Sequence, residues 1–199
     1  MLDGFRHLPG HLDRPAQNAL ATAIREVIAK APLYRPAMPR TGKPLSVEMT
    51  NCGPLGWVTD KAGGYRYQPH HPLTGRPWPP IPEQLLALWR ELSGHGGPPE
   101  ACLVNFYAGG ARLGLHQDRD ERDFAAPVLS VSLGDDAVFA VGGLKRSDPK
   151  ERITLRSGDV VILGGASRLA FHGIEKVLPG TSDLWPGGGR INLTLRVVG

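Results

Sequence analysis

Residues 190–196 read Arg190-Ile191-Asn192-Leu193-Thr194-Leu195-Arg196. The alternation is strict, and successive side chains of a β-strand point to opposite faces. Arg190, Asn192, Thr194 and Arg196 therefore share one face; Ile191, Leu193 and Leu195 share the other. The apolar face needs a core to pack on. The polar face is unusual, because two guanidinium groups flank an amide and a hydroxyl. An ordinary half-buried strand turns such a face to water. The alternative is a forked donor array suited to a dicarboxylate.

Working outward, residues from Ala101 onward form short strand-like runs: Cys102–Tyr107, Val128–Leu133, Ala137–Val141, Arg152–Leu155, Asp159–Leu163 and Ile191–Val198. Gly-rich turns separate them, the pattern of a β-sandwich or jelly roll. Two helices precede these runs. Asp13 can cap a helix reaching Ala31, with Pro15 in its first turn and Leu20, Ile24, Val27 and Ile28 on one side. Pro32 ends it. A second helix is predicted over about Glu83–Leu92, with Leu85, Leu88, Trp89 and Leu92 aligned and Ser93-Gly94 closing it. The fold class is thus mainly β (α+β), a double-stranded β-helix or jelly roll with the N-terminal helices packed on one face. Residues 95–199 are read as the catalytic core. Residues 1–94 are read as an extension carrying helices and a recognition loop, the whole forming one compact domain. The stretch Asn51–Pro80 is rich in Gly and Pro yet holds Trp57, Tyr65, Tyr67 and Trp78. It reads as a long irregular binding segment, with Trp78 pinning it to the core.

Bulk properties agree and exclude little else. In 199 residues, 41% are hydrophobic and 21% charged, an ordinary globular balance. The net charge of +4 permits a polyanionic partner without requiring one. Cys52 and Cys102 lack metal-site spacing and read as reduced structural thiols. The first twelve residues lack the apolar stretch of a signal peptide, and apolar runs such as Val160–Leu163 are too short to span a bilayer. A soluble, cytoplasmic monomer without membrane association is expected.

The chemistry begins at His116-Gln117-Asp118. On a strand, His116 and Asp118 would face the same way. Alone, this spacing more often marks a surface pair or a satisfied core histidine. His172 is the third candidate, and two histidines with one carboxylate make the facial triad of non-haem iron oxygenases. Zinc could use the same trio. The Arg190/Arg196 face, with Asn105 and Tyr107 upstream, would clamp a keto diacid beside such a metal.

These motifs (Asn105-Phe106-Tyr107, His116-Gln117-Asp118, His172 and Arg190–Arg196) resemble those of the AlkB family of oxidative dealkylases, close to its bacterial type. The similarity extends to Met49-Thr50-Asn51-Cys52-Gly53, Leu55-Gly56-Trp57, the run 126–134 and Gly142-Gly143-Leu144-Lys145-Arg146, so to most of the chain from about residue 45. The resemblance implies that His116, Asp118 and His172 are the catalytic iron(II) ligands. It implies that Asn105, Tyr107, Arg190, Asn192 and Arg196 hold 2-oxoglutarate, with Arg190 at the distal carboxylate and Arg196 near the metal-bound end. Trp57 would stack on the damaged base and the His116 ring would cover its other face, with Tyr65, Tyr67, Asp120 and Arg146 lining the nucleotide site. It further implies demethylation of 1-methyladenine and 3-methylcytosine in single- or double-stranded DNA, with RNA a second candidate, using dioxygen and releasing formaldehyde, succinate and carbon dioxide. A ring made cationic by alkylation suits an aromatic face and a nearby carboxylate, which Trp57 and Asp120 would supply. Two departures stand out: Leu195 replaces the usual Phe, and the Lys61–Gly64 loop is one residue longer.

Arg112, Arg119, Lys145, Arg146, Arg152 and Arg168 are candidate phosphate contacts. His7, His11, His70, His71 and His95 receive no role and are expected to be exposed or locally hydrogen-bonded. Two other readings remain open at this point. One keeps iron and 2-oxoglutarate but takes a protein or small-molecule substrate. The other is a non-catalytic nucleic-acid-binding module with structural zinc, which leaves the paired arginines without a purpose.

Overall fold

The computed structural model describes residues 2–199. Its large sheet is antiparallel and runs, edge to edge, β1 (Phe5–Leu8), β10 (Val160–Leu163), β7 (Val128–Gly134), β12 (Arg190–Arg196), β5 (Ala101–Tyr107) and β2 (Glu48–Cys52). A second sheet runs β6 (Leu113–His116), β11 (His172–Leu178), β8 (Asp136–Val141) and β9 (Glu151–Leu155). The two enclose the jelly-roll interior. β3 (Gly56–Asp60) and β4 (Gly64–Gln68) form a separate hairpin at its mouth. The strands β1 and β2 come from the first 94 residues, so that segment completes the large sheet at both edges as well as covering it.

The alternation in β12 explains how the layers meet. Ile191, Leu193 and Leu195 join Val104, Leu129, Leu133, Val160 and Ile162 in a core on the sheet's outer face. Helices α1 (Arg14–Lys30) and α2 (Glu83–Leu92) cap that core with Leu20, Ile24, Val27, Leu85, Leu88 and Trp89. Leu20 and Ile24 are wholly buried, and truncating either to Ala is expected to cost about 2–5 kcal/mol. Asp13 caps α1 by accepting from the Ala16 amide at 2.9 Å. After α2, Gly94 adopts φ +67°, the left-handed closure that glycine tolerates best. A second core fills the space between the sheets, from Val47, Met49 and Leu103 to Phe139, Leu155, Val161 and Ile174.

The segment 51–80 is more ordered than its composition indicates. Trp57, Thr59, Tyr65 and Tyr67 lie on one face of the β3–β4 hairpin, through the register Trp57↔Tyr67 and Thr59↔Tyr65. On the opposite face Val58 packs with Ala31, Tyr34 and Trp78. Trp78 is buried and donates its indole N–H to the Gln68 carbonyl at 2.8 Å, the pinning role expected of it. Gly56 is required here, since a Cβ would come 2.5 Å from the Trp78 ring.

Candidate metal and co-substrate centre

His116 ends β6 and His172 begins β11, and the two are directly paired across the strands. That pairing brings residues far apart in the chain to a ring-to-ring distance of 4.5 Å. The strands approach closely because Gly173 has no side chain; a Cβ there would sit 2.6 Å from the Leu113 carbonyl oxygen. Asp118 follows β6 by two residues and completes the group. Donor atoms of His116, Asp118 and His172 all lie within 4.8 Å of one another, which suits a shared metal ion.

The tautomers are fixed by second partners. His116 Nδ1 lies 2.9 Å from the Gly114 carbonyl and His172 Nδ1 lies 2.9 Å from the Ala170 carbonyl. A carbonyl only accepts, so each Nδ1 carries the proton and each Nε2 keeps its lone pair. Both Nε2 atoms face Asp118, at 3.7 Å. Burial, with His116 beside it, pulls the His172 pKa down from 6.5 to about 4, so its ring is neutral and ready to ligate at neutral pH. Burial alone would raise the Asp118 carboxyl; Arg196, His172 and His116 outweigh it and hold the group well below the usual carboxylate range.

The polar face of β12 points inward, between the sheets. Asn192 pairs with Asn105 and Ser132, and Arg190 pairs with Tyr107 and Gly134. Arg190 is wholly buried, and one terminal nitrogen donates to Ser132 Oγ at 2.7 Å. Its Nε and Nη1 have no acceptor. Burial draws its pKa down to about 10, still cationic at pH 7. Arg196 donates to Asp118 Oδ1 at 2.8 Å, while its Nε makes no hydrogen bond. Buried donors without acceptors are costly and rare. Here they belong to two cations on one strand face, a donor set that fits a dianionic acid beside a metal.

A cavity of about 690 Å³ joins these groups to the hairpin, lined among others by Asn105, Tyr107, His116, Asp118, His172, Asn192, Thr194 and Arg196. Trp57, Tyr65, Asp120 and Arg146 line it toward the mouth. Arg190 and Tyr67 stand behind its wall. Trp57 stacks on Tyr65 at 5.6 Å and donates its indole N–H to Asp120 at 2.8 Å. Arg146 is exposed, its guanidinium 5.2 Å from the Phe171 ring.

The phosphate candidates divide. Arg112, Arg119, Lys145 and Arg146 are exposed. Arg152 is engaged by Glu175 at 2.8 and 3.1 Å. Arg168 is a correction: only 3% of it is exposed and each of its three guanidinium nitrogens donates within the fold, so it cannot reach a phosphate. Glu121, which follows Asp118-Arg119-Asp120 in a charged run, is also buried. No local pattern marks Glu121, whereas the apolar Leu169-Ala170 beside Arg168 is a weak sign of its burial. His71 is buried and hydrogen-bonded to the Pro32 carbonyl at 2.8 Å, a local structural role. No helix among the described residues is long and apolar enough to cross a membrane.

Residues 4–196 match the model of the 2OG-Fe(II) oxygenase superfamily. The chain is 56% identical over 198 residues to an alpha-ketoglutarate-dependent dioxygenase AlkB homolog of Caulobacter vibrioides, covering 98% of this chain and 88% of that protein. It is 45% identical over 194 residues to the alpha-ketoglutarate-dependent dioxygenase AlkB of Escherichia coli, covering 94% and 89%. The solved structure of OsALKBH1 superposes with a TM-score of 0.79 at 32% identity, over 99% of each chain.

Proposed function

The chain belongs to the AlkB family of iron(II)- and 2-oxoglutarate-dependent dioxygenases, and from that premise we propose that it removes N-alkyl groups from damaged nucleic-acid bases, 1-methyladenine and 3-methylcytosine first among them. The observation that carries this reading is one cavity in which the His116–Asp118–His172 group, Arg196 and the Trp57 face meet, with the buried cation of Arg190 and its unsatisfied donors on the same strand face.

In this reading His116, Asp118 and His172 hold iron. Arg190 takes the distal carboxylate of 2-oxoglutarate, Arg196 lies near its metal-bound end, and Asn105, Tyr107 and Asn192 complete its pocket. Bound iron, with 2-oxoglutarate and dioxygen, supplies the oxidising power that hydroxylates the N-methyl group, succinate and carbon dioxide being released. The hydroxymethyl group then leaves as formaldehyde, restoring the base. The protein's own work is alignment and exclusion of water. Trp57 stacks on the extruded cationic ring and the His116 ring covers its other face. Asp120 supplies a carboxylate near the ring's charge, with Tyr65, Tyr67 and Arg146 about the nucleotide. No side chain need act as a general base. DNA is the proposed polymer, single- or double-stranded, with RNA as a further substrate, and the protein is taken to work as a cytoplasmic monomer. Alternation in β12, burial of Arg190 and the two histidine tautomers all support the assignment.

The test is an assay of anaerobically iron-loaded protein on a methylated single-stranded oligonucleotide, following formaldehyde and succinate. Both products are expected from the wild type and neither from His116→Ala or Asp118→Ala. Succinate without base repair would instead point to a protein or small-molecule substrate.

A further inference from the structure

Asp118 sits on a stretch that no strand ladder holds: β6 stops at His116 and β7 starts at Val128. A metal ligand there needs another restraint. Arg168 provides one. Its Nη1 donates to the Asp118 carbonyl at 2.7 Å and its Nε to the Ala126 carbonyl at 2.8 Å. Its Nη2 donates to Glu121 Oε2 at 3.2 Å, and its guanidinium lies 5.4 Å from the Phe124 ring. One planar group thus grips the 118–126 stretch at four residues. Arg168 itself stands four residues before His172, on a short turn anchored by its own amide to the Gly165 carbonyl at 3.1 Å. Two of the three metal-binding segments are therefore joined through protein alone.

Glu121 extends the connection. Its other oxygen accepts from the Tyr67 hydroxyl and lies 3.5 Å from Arg196 Nε. Arg196 donates to the Tyr67 hydroxyl at 3.3 Å and to Asp118 at 2.8 Å. Arg168, Arg196, Asp118 and Glu121 carry two positive and two negative charges, so the buried cluster balances without water. Tyr67 belongs to β4, so the recognition hairpin is tied into the same cluster.

We propose that Arg168, acting with Glu121, is a positioning residue that fixes Asp118 in ligating orientation and couples it to the hairpin. A guanidinium is needed because the three acceptors are reached from three separate nitrogens; the single nitrogen of an ammonium cannot occupy all three positions. A role confined to stability would leave metal affinity and reaction coupling unchanged in any variant that folds.

The proposal rests on the iron-dependent dealkylase reading, and its test separates the two. Manganese(II) affinity of the metal-free protein is measured by calorimetry for the wild type, Arg168→Gln and Glu121→Gln, with circular dichroism as the folding check. Succinate per formaldehyde is then measured for the iron-loaded forms on a methylated oligonucleotide. Arg168→Gln should weaken manganese binding about 10- to 100-fold, the usual effect of losing an outer partner of a metal ligand, and raise the succinate-to-formaldehyde ratio. Arg168→Lys should recover only part of the affinity. Glu121→Gln should weaken binding less but raise the ratio, because it loosens the link to Tyr67. Wild-type affinity and ratio in folded Arg168→Gln overturns the proposal. If that variant does not fold, wild-type values in Glu121→Gln overturn it. A wild type that binds manganese but repairs no base defeats the dealkylase reading and leaves the affinity comparison standing.

Discussion

The two ends of the cavity are built differently. At the inner end, ligands and donors come from β5, β6, β11 and β12 or lie just beyond β6, and Asn105, Asp118, His172, Arg190 and Arg196 are all buried. Their orientations are set by carbonyls, by cross-strand neighbours and by buried ion pairs. At the outer end, the working side chains ride on a two-stranded hairpin, and Tyr65 is 53% exposed. There Trp57 is held by a side-chain bond to Asp120 and by stacking on Tyr65. The difference teaches that the inner end is preorganised, as electrostatic catalysis requires, while the outer end keeps the freedom that its proposed role in base recognition would use.

Each of the following measurements can break or sharpen that division. The largest effect is expected at the metal group: His172→Ala should remove formaldehyde and succinate together, by at least about 100-fold, since even outer partners of metal ligands are worth 10- to 100-fold. Persistent succinate release in that variant would mean the inner end does not depend on His172. Next, Arg190→Met should raise the KM for 2-oxoglutarate by about 30-fold or more, the loss of one partner of a buried charge pair being worth about 2–5 kcal/mol. The KM for the oligonucleotide should stay within about twofold in that variant if the ends act separately. Trp57→Ala should do the reverse. It should raise the oligonucleotide KM by about 5- to 150-fold, from a stacking energy of about 1–3 kcal/mol per base, and leave the 2-oxoglutarate KM in place. A shift in both constants would show that the hairpin shapes the inner end too.

The smallest effect concerns pH. His172 in the folded, metal-free protein should take its proton only near pH 4, against 6.5 for an unperturbed ring. Between those values the unfolded chain binds the proton and the folded one does not. This contribution to stability is therefore complete above about 6.5, declines as pH falls and is gone below about 4. Imidazole NMR chemical shifts followed from pH 7 to 3.5 check it; a midpoint for His172 near 6.5 would mean that the inner end is not desolvated.

Both ends were legible in the sequence to different depths. The α2 helix matches its expected span, Glu83–Leu92, and α1 begins at its expected cap, because spacing and terminal residues there are local signals. The strands β5, β7, β8, β9, β10 and β12 all overlap their expected runs. The β11 strand was not anticipated, because Glu175 and Lys176 are adjacent and a bulge interrupts its pairing, which removes the alternation. The hairpin is hidden in the sequence because glycines and prolines dominate the stretch, although Trp57-Val58-Thr59 and Tyr65-Arg66-Tyr67 do alternate. The triad was visible as residue types, and the resemblance to a known family gathered them into one site. The partnership of Arg168 with Glu121 could not be read at all. It follows from how a strandless segment meets the turn that precedes β11, and no window of neighbouring residues encodes that.

One consequence follows from Arg190, whose Nε and Nη1 face no acceptor while its charge is enclosed by the sheet. An acid that neutralises this cation binds the native chain and not the denatured one, so its concentration enters the unfolding equilibrium. At a hundred times its dissociation constant, such a ligand adds about 2.7 kcal/mol. With 2-oxoglutarate as that acid, the proposed role of Arg190, resistance to heat and to proteolysis should therefore rise with the concentration of 2-oxoglutarate.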